Sequence, residues 1–277
     1  MRLDLHVHTT SSDGTLSPAD TIAAAAERGV TLIAITDHDT TDGIAEAQAA
    51  APGAGVILIP GIELSADSES QDIHVLGYFL DPASEELQAE LRDLRESRNA
   101  RNERIIEKLA ALGARVPPER VQEIAGPGSV GRPHIAAAMV EAGHVSNQGE
   151  AFHRFLARNK PAFAPRKQLT PARACEIIHR VGGLAALAHP VKIGSRAAME
   201  NALDGGMDAI EVYHSDHSAH ETENLLALTK ERGLLVVGGS DTHGPHSDRP
   251  VAIGSVTIPE WVGEELLARA PKWWRSG

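Results

Sequence analysis

A chain of 277 residues with 42% hydrophobic content can bury a full core without disulfide staples, as one domain or one domain with a sizeable insertion. Its formal net charge of -12 and its 3% aromatic content argue against the basic footprint of a long-duplex DNA or RNA binder and the stacking platform of a single-strand binder. A single cysteine, Cys175, excludes an intrachain disulfide, and no apolar run approaches the ~18–20 residues needed to cross a bilayer. The N-terminus runs straight into a strand carrying Asp4, unlike a signal peptide, so a soluble cytoplasmic protein with no membrane partner is expected.

Seven short apolar runs read as strands: Leu3–Val7, Leu32–Thr36, Val56–Ile62, Ile73–Tyr78, Leu184–Ala188, Ala209–Tyr213 and Leu234–Gly238. Several are apolar throughout, as strands covered on both faces are. Helical patterns alternate with many of them. Ser17-Pro18 opens the first and Gly29 closes it; Thr170-Pro171 opens another that ends at Gly182-Gly183 and carries Cys175 as a small core residue. This alternation implies a parallel sheet, closed into a barrel or doubly wound. The stretch from about Pro82 to Pro165 breaks the rhythm. It holds a long helix, Ser84 to Gly113, with a polar, basic middle from Arg95 to Arg104, and a second helix from about Pro133 to Ala142. Residues 1–81 and 166–277 therefore read as the α/β body and 82–165 as a helical insertion capping one end of it. The tail with Trp273 and Trp274 is expected to fold back on the body.

His6 and His8 lie two apart in a strand, so both imidazoles face one side. A histidine on a strand is ordinarily a packed or surface group, but here the pattern recurs. Asp13 follows in the first loop, Thr36-Asp37-His38 ends the second strand and Gly61-Ile62-Glu63 the third. His74 lies on the fourth, His189-Pro190 follows the fifth, and Ser240-Asp241-Thr242-His243 follows the seventh. Nine donors, six His and three carboxylates, thus gather at the C-terminal ends of six strands, the end where α/β folds build active sites. Nine are too many for one ion. Imidazole and carboxylate together suit manganese, zinc or iron. Ions about 3.5–4 Å apart lower the pKa of a shared water toward ~7 and clamp phosphate oxygens.

This ordered set resembles the PHP family, the polymerase and histidinol phosphatase domains, over essentially the whole chain. The resemblance implies an α/β fold, a distorted seven-stranded (β/α)7 TIM-like barrel, with a centre of two or three divalent metal ions. It implies one ion on His6, His8, Glu63 and Asp241, a second on Glu63, His74 and His189, and a third on Asp13, His38 and His243, with Glu63 bridging the first two. All nine positions are filled, which speaks against a non-catalytic, metal-stabilised module.

Three segments of the insertion resemble members that hydrolyse nucleotide phosphates, including nucleoside 3′,5′-bisphosphates and short RNA 5′ ends. They are Leu94–Arg104, Gly131-Arg132-Pro133-His134-Ile135-Ala136 and Asn159-Lys160-Pro161-Ala162-Phe163. The resemblance implies contacts from Arg101, Asn102 and Arg132 to substrate phosphate or sugar; His134 and Lys160 are further phosphate-donor candidates. His217 is a candidate for protonating the leaving oxygen. Asp37 and Asp39 are candidates for orienting an imidazole, whereas His214, His220 and His246 are expected to be exposed. The expected activity is a phosphatase removing the 3′ phosphate from a small nucleotide with two phosphates. The enzymatic alternatives are trimming of short RNA 5′ ends and hydrolysis of histidinol phosphate, a cation that would have less use for Arg101 and Arg132.

Overall fold

A computed structural model describes residues 1–68, 71–126, 130–165, 169–248 and 250–275. Seven strands stand in one sheet in sequence order: β1 (Leu3–Val7), β2 (Leu32–Ile35), β3 (Ile57–Ser68), β4 (Gln71–Tyr78), β5 (Leu184–Leu187), β6 (Ala209–His214) and β7 (Leu235–Gly239). The sheet curls until its edges meet. Val7 bridges Thr242, His8 N donates to Thr242 O at 2.9 Å, and Asp241 N donates to His6 O at 2.9 Å. The result is a nearly closed, distorted α/β barrel. Gly239 permits this closure, because a Cβ there would stand 2.4 Å from that of His6.

The helices run in chain order as α1 (Pro18–Glu27), α2 (Ile44–Ala54), α3 (Glu85–Ala111), α4 (Pro118–Ala125), α5 (Arg132–Glu141), α6 (Gln148–Ala151), α7 (Pro171–Arg180), α8 (Arg196–Asp204), α9 (Ala219–Arg232), α10 (Glu260–Ala268) and α11 (Lys272–Arg275). The expected caps are in place. Ser17 Oγ accepts from Asp20 N at 3.1 Å and Thr170 Oγ1 from Arg173 N at 3.2 Å, each ahead of a proline. Among the described residues no helix is long and apolar enough to cross a membrane. At the tail, Trp274 Nε1 donates to Leu58 O at 3.3 Å and its ring meets Phe79 edge-on, which folds the tail onto the body. Cys175 is buried.

The wholly parallel sheet expected from the alternation is not what forms. β4 runs antiparallel to both β3 and β5, while the other neighbours are parallel. No helix separates β3 from β4, so the two close as a hairpin, with Ser68 opposite Gln71. β3 extends past Ile62 because β4 pairs with it throughout; its added half carries Glu63, Ser65 and Asp67, which end an apolar run without ending a strand. Reversal also corrects the placement of His74. It lies in the first half of its strand, yet reaches the same mouth because that strand points the other way.

Among the described residues, five helices and a π-helical turn separate β4 from β5. α3 explains its own pattern. Leu87 and Leu91 pack into the barrel's apolar cluster, Ile105 and Leu109 into a separate cluster with Val121, Ile135, Met139 and Leu156. The polar stretch between those two anchors crosses the barrel mouth. Each buried Leu or Ile contributes about 1.5–3 kcal/mol, so both ends of α3 are firmly held. The expected return to the body at residue 166 lies outside the described residues.

Candidate metal centre

The nine expected donors converge on the barrel axis. Glu63, fully buried, is the hub. Its Oε2 lies 3.3 Å from His6 Nε2, 3.2 Å from His8 Nε2 and 3.1 Å from His38 Nδ1, and its Oε1 lies 2.7 Å from His74 Nδ1 and 3.1 Å from His189 Nε2. His74 reaches Glu63 because the two are diagonal neighbours across the hairpin, where Leu76 stands directly opposite Glu63. Asp241 Oδ1 lies 3.4 Å from His6 Nε2 and 3.3 Å from His8 Nε2; Asp13 Oδ1 lies 3.4 Å from His243 Nε2. Among the described residues four sets hold their donor atoms within 4.8 Å of one another: His6, His8 and Asp241; His38, Glu63 and His74; His8, Asp13, His38 and His243; and, with two residues outside the expected nine, His6, Glu211 and His214.

The chemistry of these atoms fits divalent cations. Buried His8 Nδ1, His38 Nδ1, His189 Nδ1, Asp13 Oδ1 and Glu63 Oε2 make no hydrogen bond, although polar neighbours stand close. A buried polar atom without a partner costs about 1–3 kcal/mol, which a coordinated ion would remove. Burial alone would lift Asp13, Glu63 and Asp241. The imidazoles around them reverse that and hold all three well below the ordinary carboxylate range. Burial pushes His38 down to about 3 and His189 to about 4, the neutral form that ligates. His8 is instead pushed up to about 10, against burial, by Asp241 and Glu63. Its proton sits where a cation would sit, and ion binding would expel it. Backbone strain collects here too: His189 and Asp241 both have positive φ, 28° and 54°.

Above this cluster lies a cavity of about 140 Å³. Its lower wall is Asp13, His38, Ser65 and His74; its upper wall is Arg98, Arg101, Asn102, Gly131, Arg132 and Phe152. Arg101 Nε donates to Ala164 O at 3.0 Å and Asn102 Nδ2 to Val130 O at 2.8 Å, which fixes both side chains in the polar middle of α3. Arg132 Nη2 donates to Asp72 Oδ2 at 3.0 Å, and its guanidinium lies 5.8 Å from the Phe152 ring centre. A larger groove of about 820 Å³ shares Asp13, Pro133 and Phe152 with this cavity and continues past Ile124, Ala137, His243 and His246.

The remaining candidates, Lys160, His134, His217, Asp37 and Asp39, do not line this cavity. Lys160 lines neither space; its carbonyl instead accepts from Phe163 N at 2.9 Å, turning Phe163 toward Arg101. His134 lines the groove rather than the cavity, and its Nδ1 accepts from Gly131 N at 3.0 Å at the start of α5. His217 donates from Nδ1 to Val212 O at 2.9 Å, and burial lowers its pKa below the ordinary value. Asp37 ties down the first loop rather than an imidazole. Asp37 accepts from Thr9 N and Ser12 Oγ, and Asp39 from Ser65 N and Arg98.

Three residues went unrecognised in the sequence. Arg98 lines the cavity, bound to Asp39 and, at 3.1 Å, to Ser65 Oγ. Glu211 is fully buried 2.9 Å from His6 Nδ1. His214, expected on the surface, is buried and lies 3.3 Å from Asp241 Oδ2. A carboxylate inside the apolar run Ala209–Tyr213 is the signal that could have found Glu211, since a charge buried in a barrel strand needs a partner.

Residues 4–164 match the family described as the PHP domain. The chain is 37% identical over 249 residues to the 5′-3′ exoribonuclease Rnm of Escherichia coli strain K12, covering 87% of this chain and 85% of that protein. It is 33% identical over 249 residues to the 3′,5′-nucleoside bisphosphate phosphatase of Chromobacterium violaceum, covering 88% and 90%. The fold is similar to the crystal structure of a candidate metal-dependent phosphoesterase from Bifidobacterium adolescentis, with a TM-score of 0.87 and 29% identity over 98% of this chain and 96% of that one.

Proposed function

The chain belongs to the PHP family and is a metal-dependent phosphoesterase, and from that premise we propose that it removes the 3′ phosphate from nucleoside 3′,5′-bisphosphates. The centre takes two or three divalent ions, Mn2+, Zn2+ or Fe2+. His6, His8, Glu63 and Asp241 hold one; Glu63, His74 and His189 a second; Asp13, His38 and His243 a third. The donor groups support the first and third positions; for the second they set His38 beside Glu63 and His74, while His189 enters through Glu63 Oε1 at 3.1 Å. When bound, such ions supply an activated water and neutralise charge on the phosphoryl oxygens.

The observation that carries the substrate reading is the cationic roof. Arg98, Arg101 and Arg132 line the same small cavity as Asp13, His38 and His74. One phosphate at the donor cluster leaves a second within reach of this roof, where guanidinium groups bind phosphate by paired, charge-assisted bonds. The arginines are pre-aimed by Asp39, Ala164 O and Asp72, which reduces the entropy lost on binding. Residues 82–165 act in this reading as a cap that supplies recognition while the barrel supplies chemistry.

A second reading, trimming of short RNA 5′ ends, is favoured by the groove of about 820 Å³ that continues from Asp13 and Phe152, with room for a following nucleotide. The test is phosphate release by manganese-loaded protein from 3′,5′-bisphosphoadenosine, 5′-AMP, histidinol phosphate and a 5′-phosphorylated RNA dinucleotide. A marked preference for the bisphosphate, lost in Arg132→Ala, is the expected result. Faster hydrolysis of the dinucleotide would replace it with the second reading, and preference for histidinol phosphate would overturn both.

A further inference from the structure

β6 is the one strand that contributes none of the nine expected donors, yet it lies against the cluster more closely than a spacer would. We propose that Glu211 and His214, both on β6, are positioning residues that fix the aim of His6 and Asp241 and thereby set the affinity of the ion these two hold. The proposal rests on the reading of the cluster as a metal centre.

The strand is built for this. Alternation along a regular strand would send residues three apart to opposite faces. Between Glu211 and Tyr213 the register with β7 slips: Glu211 stands opposite Val237 but Tyr213 opposite Gly238, two steps on β6 against one on β7. That extra residue is a β-bulge, which re-aims the side chains beyond it. It brings His214 to the face that Glu211 already occupies. Gly238 makes room for the bulge, since a Cβ there would lie 2.6 Å from that of Tyr213.

The hydrogen bonds then assign the protons. Glu211 Oε2 accepts from His189 N at 2.6 Å, which locks the carboxylate, and Oε1 stands 2.9 Å from His6 Nδ1. An ionised carboxylate only accepts, so His6 carries a proton on Nδ1 and Nε2 is the nitrogen that faces Glu63, His8 and Asp241, the one an ion would take. His214 Nδ1 accepts from Asp216 N at 3.0 Å, so its proton is on Nε2 and is donated to Asp241 Oδ2 at 3.3 Å. Lys192 Nζ binds the same Oδ2 at 2.9 Å. Asp241 therefore has one oxygen held from behind and one, Oδ1, left facing His6 and His8. Glu211 and His214 each hold a donor from behind, His6 on β1 and Asp241 just past β7, and leave its other ligating atom facing the centre; a polar group bound behind a ligand in this way commonly changes metal affinity about 10–100-fold.

The experiment titrates Mn2+ into chelator-stripped wild type, Glu211→Gln, His214→Leu and His214→Gln, reads free Mn2+ by electron paramagnetic resonance, and records the melting temperature of each stripped protein. Glu211→Gln and His214→Leu are expected to weaken Mn2+ binding about 10–100-fold, while His214→Gln, whose amide can replace the Nε2 donor, recovers most of it. Wild-type Mn2+ affinity in folded Glu211→Gln and His214→Leu would overturn the proposal, as would equal losses in His214→Leu and His214→Gln that track melting temperature alone. Should Glu211→Gln fail to fold, the two His214 variants decide by themselves. A wild type that binds no Mn2+ would refute the metal centre itself, a different failure from that of β6.

Discussion

The barrel mouth and the helical roof above it solve the same problem, holding charged groups in a fixed array, by opposite means. In the barrel the donors sit on or beside strand ends, and backbone pairing fixes them: His6 on β1 and His8 just past its end, Glu63 and His74 across one hairpin. His6, His8, Glu63 and His189 are buried, and His8, Asp13, His38, Glu63 and His189 each keep a polar atom with no hydrogen bond. In the roof Arg98 and Arg132 sit on helices and Arg158 in a turn, and ion pairs fix them, Arg98 to Asp39, Arg132 and Arg158 to the hairpin acids Asp72 and Asp67. The barrel array is rigid by topology and the roof array by charge pairing. Damage to the first should abolish chemistry, and damage to the second should alter selectivity.

The largest effect that sharpens this contrast is at Glu63. Its two oxygens meet five imidazoles. Glu63→Gln removes the bridging charge and is expected to lower kcat about a thousand-fold on every phosphate ester, since metal-borne charge stabilisation is worth several kcal/mol. Elemental analysis should show fewer ions per chain. Full turnover with fewer ions would break the comparison at its base.

Next comes the roof's own core. Ile105 is fully buried in the cluster that the insertion keeps to itself. Ile105→Ala is expected to destabilise the insertion by about 2–5 kcal/mol. Hydrogen exchange should then rise in α3 beyond residue 100, α4 and α5 while β1 to β7 stay protected. A uniform rise would mean that roof and barrel unfold as one unit. Smaller again is Arg132→Ala. One charge-assisted contact is worth about 1.5–3 kcal/mol, so kcat/KM for the bisphosphate should fall about 10–100-fold while a simple aryl phosphate is barely affected. Equal losses on both substrates would remove Arg132 from recognition.

The same contrast decides what the sequence could disclose. Donors at strand ends are legible because the strand period and the chain order already place them: His6, His38, Glu63 and Asp241 fall into the donor groups, and His189 lies 3.1 Å from Glu63. The antiparallel course of β4 was hidden because a hairpin and a crossover leave the same apolar run; only the missing helix between Ile62 and Ile73 separates them. Glu211 and His214 were hidden for another reason. Their shared face exists only after a bulge, and an inserted residue has no signature in hydropathy. The roof was half legible. The polar middle of α3 announces a function, but Arg98 rather than Lys160 completes the array, because bonds to Asp39 and Ser65 are tertiary facts.

The finest test concerns His134, where roof and barrel should respond differently to acid. Burial lowers its pKa below the ordinary 6.5, helped by nearby Arg98 and opposed by Asp13. Its neutral Nδ1 accepts the Gly131 amide at the start of α5, and a proton there would end that bond. Because the folded value lies below the unfolded one, the unfolded chain takes up the proton first as pH falls. The stabilisation is therefore complete above 6.5 and is lost as pH drops through the folded value. One proton changes an opening equilibrium by at most about tenfold per pH unit. Amide exchange of residues 132–141, corrected for intrinsic rates, should thus accelerate below pH 6.5 in wild type and flatten in His134→Gln. If the variant keeps the acid response, the roof is loosened by protons on the barrel's own imidazoles, and the separation between the two arrays is weaker than their packing implies.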